Sequence, residues 1–150
     1  MRAASLIVLF CLAGYAGDTM LSPQSVILPA EFGPALVKKS CWGESPIAGD
    51  ISGYWSPTVN DARQMEQALP AYLDHSEVHR SFSDYYRQYV GIIASGKRLV
   101  FVSAFPKDWA NDDGWIREPI IVGCGYTDFW RVAFDPQTKQ FSHWDMNDPL

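Results

Sequence analysis

The clearest hydrophobic pattern in this chain is a pair of runs rich in β-branched and aromatic residues on either side of Ser95-Gly96. A short glycine-containing turn between two such runs predicts a β-hairpin, here over Tyr86–Phe105. If Ser95 and Gly96 form the turn, one face of the ladder is mostly apolar and the other is more polar. A slip of one residue would exchange the two faces, so the sequence predicts one register. The pairs on the apolar face are Ala94–Lys97, Ile92–Leu99, Val90–Phe101, Gln88–Ser103 and Tyr86–Phe105.

An amphipathic helix is predicted upstream of the hairpin, because apolar residues recur there at spacings of three and four. Ser56 fits the N-cap and Pro57 the first helical position. Pro70 lacks a backbone donor and clashes with the preceding turn, so we expect a kink or a restart near Leu69. The apolar positions are Val59, Ala62, Met65, Leu69, Tyr72 and Leu73.

Further strands are predicted after the hairpin, at Ile120–Cys124 and at Phe129–Phe134, with another beyond the turn Asp135–Lys139. An antiparallel sheet with one apolar face needs a cover, and the predicted helix supplies it. The predicted fold class is therefore α+β: one N-terminal amphipathic helix packed on a curved antiparallel sheet of about five strands, cystatin-like in outline.

The turn Asp135–Lys139 also predicts how the last two strands pair. Asp135 can accept from backbone amides, and Lys139 falls where a left-handed residue is expected. The predicted Arg131–Trp144 pair would be a cation–π contact of about 0.5–1 kcal/mol. The predicted pairs are Phe134–Phe141, Val132–His143 and Arg131–Trp144.

The length of 150 residues and the hydrophobic share of 47% suit one domain with a substantial core. Residues 54–150 are predicted to form this single α+β domain. Residues 17–53, with four prolines and no sustained periodicity, are predicted to form an extended arm.

Residues 1–16 are predicted to be a secretory signal peptide. Arg2 supplies the charged region, Leu6–Leu12 the apolar region, and Gly14-Tyr15-Ala16 the small residues of a cleavage site. The apolar run is too short to span a membrane, so we expect a periplasmic or secreted bacterial protein with no membrane span in the mature chain.

Loss of Arg2 with the signal peptide changes the formal net charge from −5 to −6. A surface this acidic argues against a nucleic-acid partner.

Cys41 and Cys124 remain after the removal of Cys11 with the signal peptide. In an oxidising compartment we expect these two cysteines to form a disulfide bond. They lie 83 positions apart, for which the loop-entropy model gives a stabilisation of roughly 4 kcal/mol. The alternative is a catalytic pair in which Cys124 is a free nucleophile and His143 its base.

The segment 106–117 places Trp109 and Trp115 among aspartates, and it is the most unusual surface segment of the predicted fold. An aromatic side chain in polar surroundings suits contact with a protein or glycan partner. Trp109, Trp115 and Tyr126 are therefore candidate ligand-binding or partner-binding residues.

Arg87 lies among tyrosines on the more polar face of the hairpin. It could anchor an acidic ligand, which makes it a fourth candidate binding residue, or it could form a structural ion pair with Glu66 or Asp84.

His75 and His79 are four residues apart, but the zincin pattern requires a glutamate directly after the first histidine and no third ligand is nearby. We therefore predict no metal site, and nothing in the sequence calls for a cofactor.

The chain resembles a family of small uncharacterised exported bacterial proteins over residues 41–147. The resemblance rests on Cys41 and on the segments 53–57 (GYWSP), 69–73 (LPAYL), 86–91 (YRQYVG), 122–124 (VGC), 129–130 (FW) and 134–136 (FDP). It implies export and a single domain, and it brings no activity that could be transferred.

These observations favour an exported, non-enzymatic binding module that modulates a protein or enzyme of the cell envelope. The first alternative is a small hydrolase that uses Cys124 and His143. The second is a structural envelope protein without a specific ligand. The oligomeric state cannot be derived from the sequence.

Overall fold

The computed structural model describes residues 19–38, 47–121 and 128–147 of the chain. These residues form one mixed sheet of seven strands and two α-helices. The strands, in chain order, are β1 Thr19–Ser22, β2 Ser25–Ile27, β3 Ile51–Trp55, β4 Tyr85–Ala94, β5 Lys97–Pro106, β6 Trp130–Asp135 and β7 Gln140–Met146. The helices are α1 Gly33–Val37 and α2 Val59–Leu73.

The hairpin β4–β5 has the predicted register over its whole length, from Ala94 opposite Lys97 to Tyr86 opposite Phe105. Ser95 and Gly96 both have positive φ, 49° and 75°, as in a two-residue turn that matches the twist of the strands. The local sequence therefore determines the centre of the sheet.

The predicted fold class is wrong in three respects. The sheet has seven strands instead of about five, it is mixed instead of antiparallel, and the long helix α2 is not N-terminal but follows three strands and α1. β2 runs parallel to residues 87–89 of β4, and β3 runs antiparallel to residues 91–94. Since β5 occupies the opposite side of β4 throughout, β2 and β3 lie end to end along one side. Residues from the predicted arm 17–53 thus form β1, β2 and the first three residues of β3.

α2 begins two residues later than predicted, because Thr58 and not Ser56 is its N-cap. The Thr58 hydroxyl accepts from the Asp61 amide at 3.2 Å, and the Asp61 carboxylate accepts from the Thr58 amide at 3.0 Å. This reciprocal pair satisfies two amides that the helix cannot bond internally. The helix is continuous through Pro70 up to Leu73, so of the predicted kink or restart near Leu69 the restart does not occur.

Both faces of the sheet are buried, and α2 covers the face that the sequence marks as more polar. Ala62, Met65 and Leu69 of α2 pack there against Tyr89 and a set of apolar residues from β5 and β6. α1 and the loop after β5 cover the other face, where Leu36, Val37 and Trp115 contact Val90, Ile92 and Phe101. The sheet is therefore the middle of three layers.

The pairing of β6 with β7 agrees with the sequence only near the turn. Phe134 lies opposite Phe141 and Lys139 has the predicted left-handed backbone, with φ of 60°. A bulge at His143, whose φ is 56°, then shifts the register by one residue. Arg131 consequently faces Asp145 and forms an ion pair with it at 3.1 Å, and the predicted contact with Trp144 is wrong. Of the predicted strand Ile120–Cys124, Ile120 and Ile121 are not in a strand, and residues 122–124 lie outside the described residues.

Gly91 in β4 allows the indole of Trp55 to lie directly on the backbone. A Cβ atom at position 91 would overlap the Trp55 ring, whose Nε1 donates to the Ile92 carbonyl at 3.1 Å. The Arg98 guanidinium lies 4.0 Å from the centre of the same indole on the outside. β4 can therefore accept a methyl group here only if the Trp55 indole moves.

We expect Gly91→Ala to lower the free energy of unfolding by about 1–3 kcal/mol, since the added methyl displaces the Trp55 indole from a packed site. Urea denaturation measures the change. Gly49→Ala is the matched control, because nothing lies within 4 Å of the added Cβ there. Equal midpoints for the two variants would show that Trp55 moves aside at no cost.

Candidate functional site

Three of the residues singled out in the sequence, Cys41, Cys124 and Tyr126, lie outside the described residues. The disulfide bond and the alternative thiol nucleophile thus stay predictions. His143 of that alternative pair lies in the bulge of β7, with Nδ1 2.9 Å from the Ser142 hydroxyl oxygen.

Arg87 forms an interior ion pair with Glu66 of α2. Its side chain is 2% exposed; Nε and Nη2 donate to the Glu66 carboxylate, the latter at 2.7 Å. Nη1 donates to the carbonyls of Phe82 and Tyr85, and the Tyr89 hydroxyl also bonds to Glu66. Burial, followed by the negative charge of Glu66, raises the pKa of Tyr89 well above its usual value. Of the two roles considered for Arg87, the geometry supports the structural one.

Trp115 belongs to the core rather than to the surface. It is 3% exposed and stacks on Tyr86 with ring centroids 4.2 Å apart. Phe105 packs edge-on against the same indole at 6.3 Å. The structure therefore places Trp115 where it holds the loop after β5 onto the sheet.

Gln88, a buried residue of β4, anchors the same loop through its side-chain amide. Nε2 donates to the carbonyls of Trp115 at 2.6 Å and Glu118 at 2.7 Å, and Oε1 accepts from the Ile120 amide at 2.8 Å. Both donors and one acceptor site of the amide are used, so burial leaves little unsatisfied. Two independent contacts, Trp115 and Gln88, therefore fix the loop in place.

Trp109, six residues earlier in this loop, is 42% exposed. Its ring packs edge-to-face on Phe129 with centroids 5.1 Å apart, and Trp109 is the last residue of a 3₁₀ turn, Lys107–Trp109. An indole that packs on another aromatic ring at one side and exposes a large area at the other is a typical anchor for recognition.

An arginine with two aspartate partners lies next to Trp109. Arg80 Nε donates to one Asp128 carboxylate oxygen at 2.9 Å, Nη2 lies 2.9 Å from the same oxygen, and Nη1 donates to Asp108 at 3.2 Å. Asp108 directly precedes Trp109, and Asp128 directly precedes Phe129, on which Trp109 rests. We define Arg80, Asp108, Trp109 and Asp128 as the Trp109 surface. It combines an aromatic group with donors and acceptors held in fixed positions.

The charges of this surface affect the groups around it. The hydrogen bond to Asp128 raises the pKa of Arg80, so the guanidinium stays charged. Beneath the surface, burial raises the pKa of Tyr85 to about 12, and the negative charge of Asp128 adds to this effect. Arg80 therefore carries its positive charge at neutral pH.

A pocket of about 280 Å³ adjoins the Trp109 surface, and Arg80 is common to both. It lies between the end of α2 and the connection to β4. Its lining is Pro70, Leu73, Asp74, Ser76, Val78, Arg80, Ser81 and Phe82. A concave site that mixes apolar walls with a few charged groups suits the binding of a side chain or a small ligand.

Comparison of the chain with protein-family models, with curated proteins and with solved structures gives no match. The likeness to a family of exported proteins accordingly stays an expectation from the residues.

Sequence reasoning singled out Trp109 but missed Arg80 and the pocket. The connection Asp74–Ser83 is polar, and the partners of Arg80 lie 28 and 48 positions away in the chain, so no local pattern marks Arg80.

His75 and His79 of this connection are exposed. Among the described residues, no three His, Cys, Asp or Glu side chains are grouped to hold a metal ion. In the same part of the chain, no helix is both long and apolar enough to cross a membrane.

Proposed function

We propose that the protein is an exported binding module, periplasmic or secreted, which holds a protein or glycan of the cell envelope on the Trp109 surface. The observation that carries the proposal is the 42% exposure of Trp109 on a rigid base, beside an arginine and two aspartates. Tryptophan and arginine are the residues most enriched among those that dominate binding energies, and a polar rim around them is typical of an interface.

The rigidity of the loop supports the same proposal. Binding orders flexible side chains and loops at a free-energy cost, and a loop that is already fixed avoids part of this cost. Trp115 and Gln88 fix the loop on the sheet side, and Arg80 fixes Asp108 at the outer side. Export is supported by the charged, apolar and small-residue order of residues 1–16.

Affinity capture from an extract of the bacterial envelope tests the proposal, with the tagged full chain as bait. We expect Trp109→Ala to reduce the recovery of the captured protein or glycan at least tenfold, since a central tryptophan typically contributes 2 kcal/mol or more. Met20→Ala is the matched control, because Met20 in β1 is 43% exposed and β1 is separated from β6 by three strands. Equal recovery by Trp109→Ala and Met20→Ala, or no specific recovery by the unaltered chain, would contradict the proposal.

A further inference from the structure

The pocket beside the Trp109 surface lies at the negative end of a helix. α2 ends at Leu73, and the last carbonyls of a helix carry a partial negative charge. The last turn of α2 contains no basic residue, and the C-cap is Asp74, whose charge has the same sign as that end of the helix. No ion pair of Asp74 is found with any described residue. Within the part of the chain that the structure describes, the end of α2 therefore has no basic partner to stabilise it.

Arg80, which also lines the pocket, does not supply this cation. Its guanidinium donates to Asp128 and Asp108, so two carboxylates offset its single positive charge. Asp74 and Arg80 are the charged residues of the lining, and the two aspartates bonded to Arg80 lie outside it, so the formal charge of these four residues together is negative. An anionic ligand in the pocket would be repelled by Asp74 and by the helix end, whereas a cation would be attracted by both.

The walls of the pocket suit the stem of a long basic side chain. Leu73, Val78 and Phe82 provide apolar surface, while Asp74 lies at the polar side. Lysine and arginine bury their methylene groups along apolar surface and keep the charged end near an acceptor. A charge-assisted hydrogen bond to a carboxylate is the strongest contact that such an end can make.

We infer that this pocket takes a lysine or arginine side chain of the partner, which is then a protein and not a glycan. The inference rests on the proposed function and deepens it: one residue of the partner covers Trp109 while a basic neighbour enters the pocket. The basic side chain supplies the missing cation at the end of α2, and it gives the acidic module a preference for basic partners.

A peptide titration tests the inference on the full chain. The probes are three capped tripeptides, Ala-Lys-Ala, Ala-norleucine-Ala and Ala-Glu-Ala, followed by amide chemical shifts at low ionic strength. We expect the lysine peptide to shift the amides of residues 73–82 and the other two to leave them unchanged. Equal shifts with the lysine and norleucine peptides would overturn the inference.

Asp74→Asn tests the role of the charge with nearly unchanged shape. We expect it to weaken binding of the lysine peptide about fivefold, as for the loss of an exposed ion pair. The variant folds, because it removes an unfavourable charge from the end of α2. Glu77→Gln is the control, since Glu77 is an exposed acid of the same connection outside the pocket lining. Equal affinities of the two variants would overturn the inference.

Affinity capture with the same variants separates the two proposals. Loss of the captured protein with both Trp109→Ala and Asp74→Asn, but not with Glu77→Gln, supports the inference. Loss with Trp109→Ala alone, or capture of a glycan, overturns the inference and leaves the proposed function standing. Retention with Trp109→Ala contradicts the proposed function itself.

Discussion

Glu66→Ala is expected to lower the free energy of unfolding by about 3–5 kcal/mol, because it leaves a buried cation without a counterion. Arg87 is 2% exposed, and two of its three guanidinium nitrogens donate to Glu66. The Tyr89 hydroxyl would lose its carboxylate partner at the same time. Alanine is the better helix former, so the loss cannot come from the helix itself.

Urea denaturation of two further variants locates the cause of this loss. Glu77→Ala removes an exposed carboxylate and is expected to change the free energy of unfolding by less than about 0.5 kcal/mol. Replacing both partners, with Glu66→Leu and Arg87→Met, removes the charge together with its counterion and is expected to recover much of the loss. A double variant as unstable as Glu66→Ala would show that packing at position 66, and not the unpaired charge, sets the cost.

The ion pair also explains why the sequence misassigned the covered face. Arg87 marks its side of the hairpin as polar, and polar strand faces usually contact solvent. Glu66 of α2 meets this charge inside the molecule, so the helix can pack on that face. Hydrophobic periodicity reflects the polarity of one element at a time and carries no signal for an ion pair between two elements.

What the sequence predicted well is local, and what it missed is distant in the chain. The register of β4–β5 follows from the two-residue turn between them. The parallel pairing of β2 with β4 joins residues about sixty positions apart, and β2 has only three residues, between Pro23 and Pro29. The bulge at His143 requires a positive φ in a residue other than glycine, which no turn signal announces.

Only part of the candidate site was predicted, because the rest depends on contacts between residues that are distant in the chain. Trp109 and Trp115 share one polar loop, and their sequence surroundings do not separate them. Tyr86 and Gln88, from a strand about thirty positions earlier, determine which indole is buried. Arg80 joins the site only through Asp108 and Asp128, which become neighbours after folding.

Trp115→Ala is expected to lower the free energy of unfolding by about 3–5 kcal/mol, the range for a large buried aromatic residue. The truncation empties the space beside Tyr86 and Phe105, and the loop cannot collapse fully into it because Gln88 still binds its backbone. Trp109→Ala, in the same loop, is expected to cost only about 1 kcal/mol through its edge-to-face contact with Phe129. Thermal and urea denaturation measure both changes.

The two tryptophans therefore separate stability from recognition within one loop. Trp109→Ala should fold almost as well as the unaltered chain and lose its partner, whereas Trp115→Ala should lose stability and, at temperatures where it is still folded, keep the partner. A partner lost equally with both variants under folding conditions would mean that the loop binds as a whole. Equal losses of stability would mean that Trp109 is buried in solution, and the Trp109 surface would then offer no aromatic anchor.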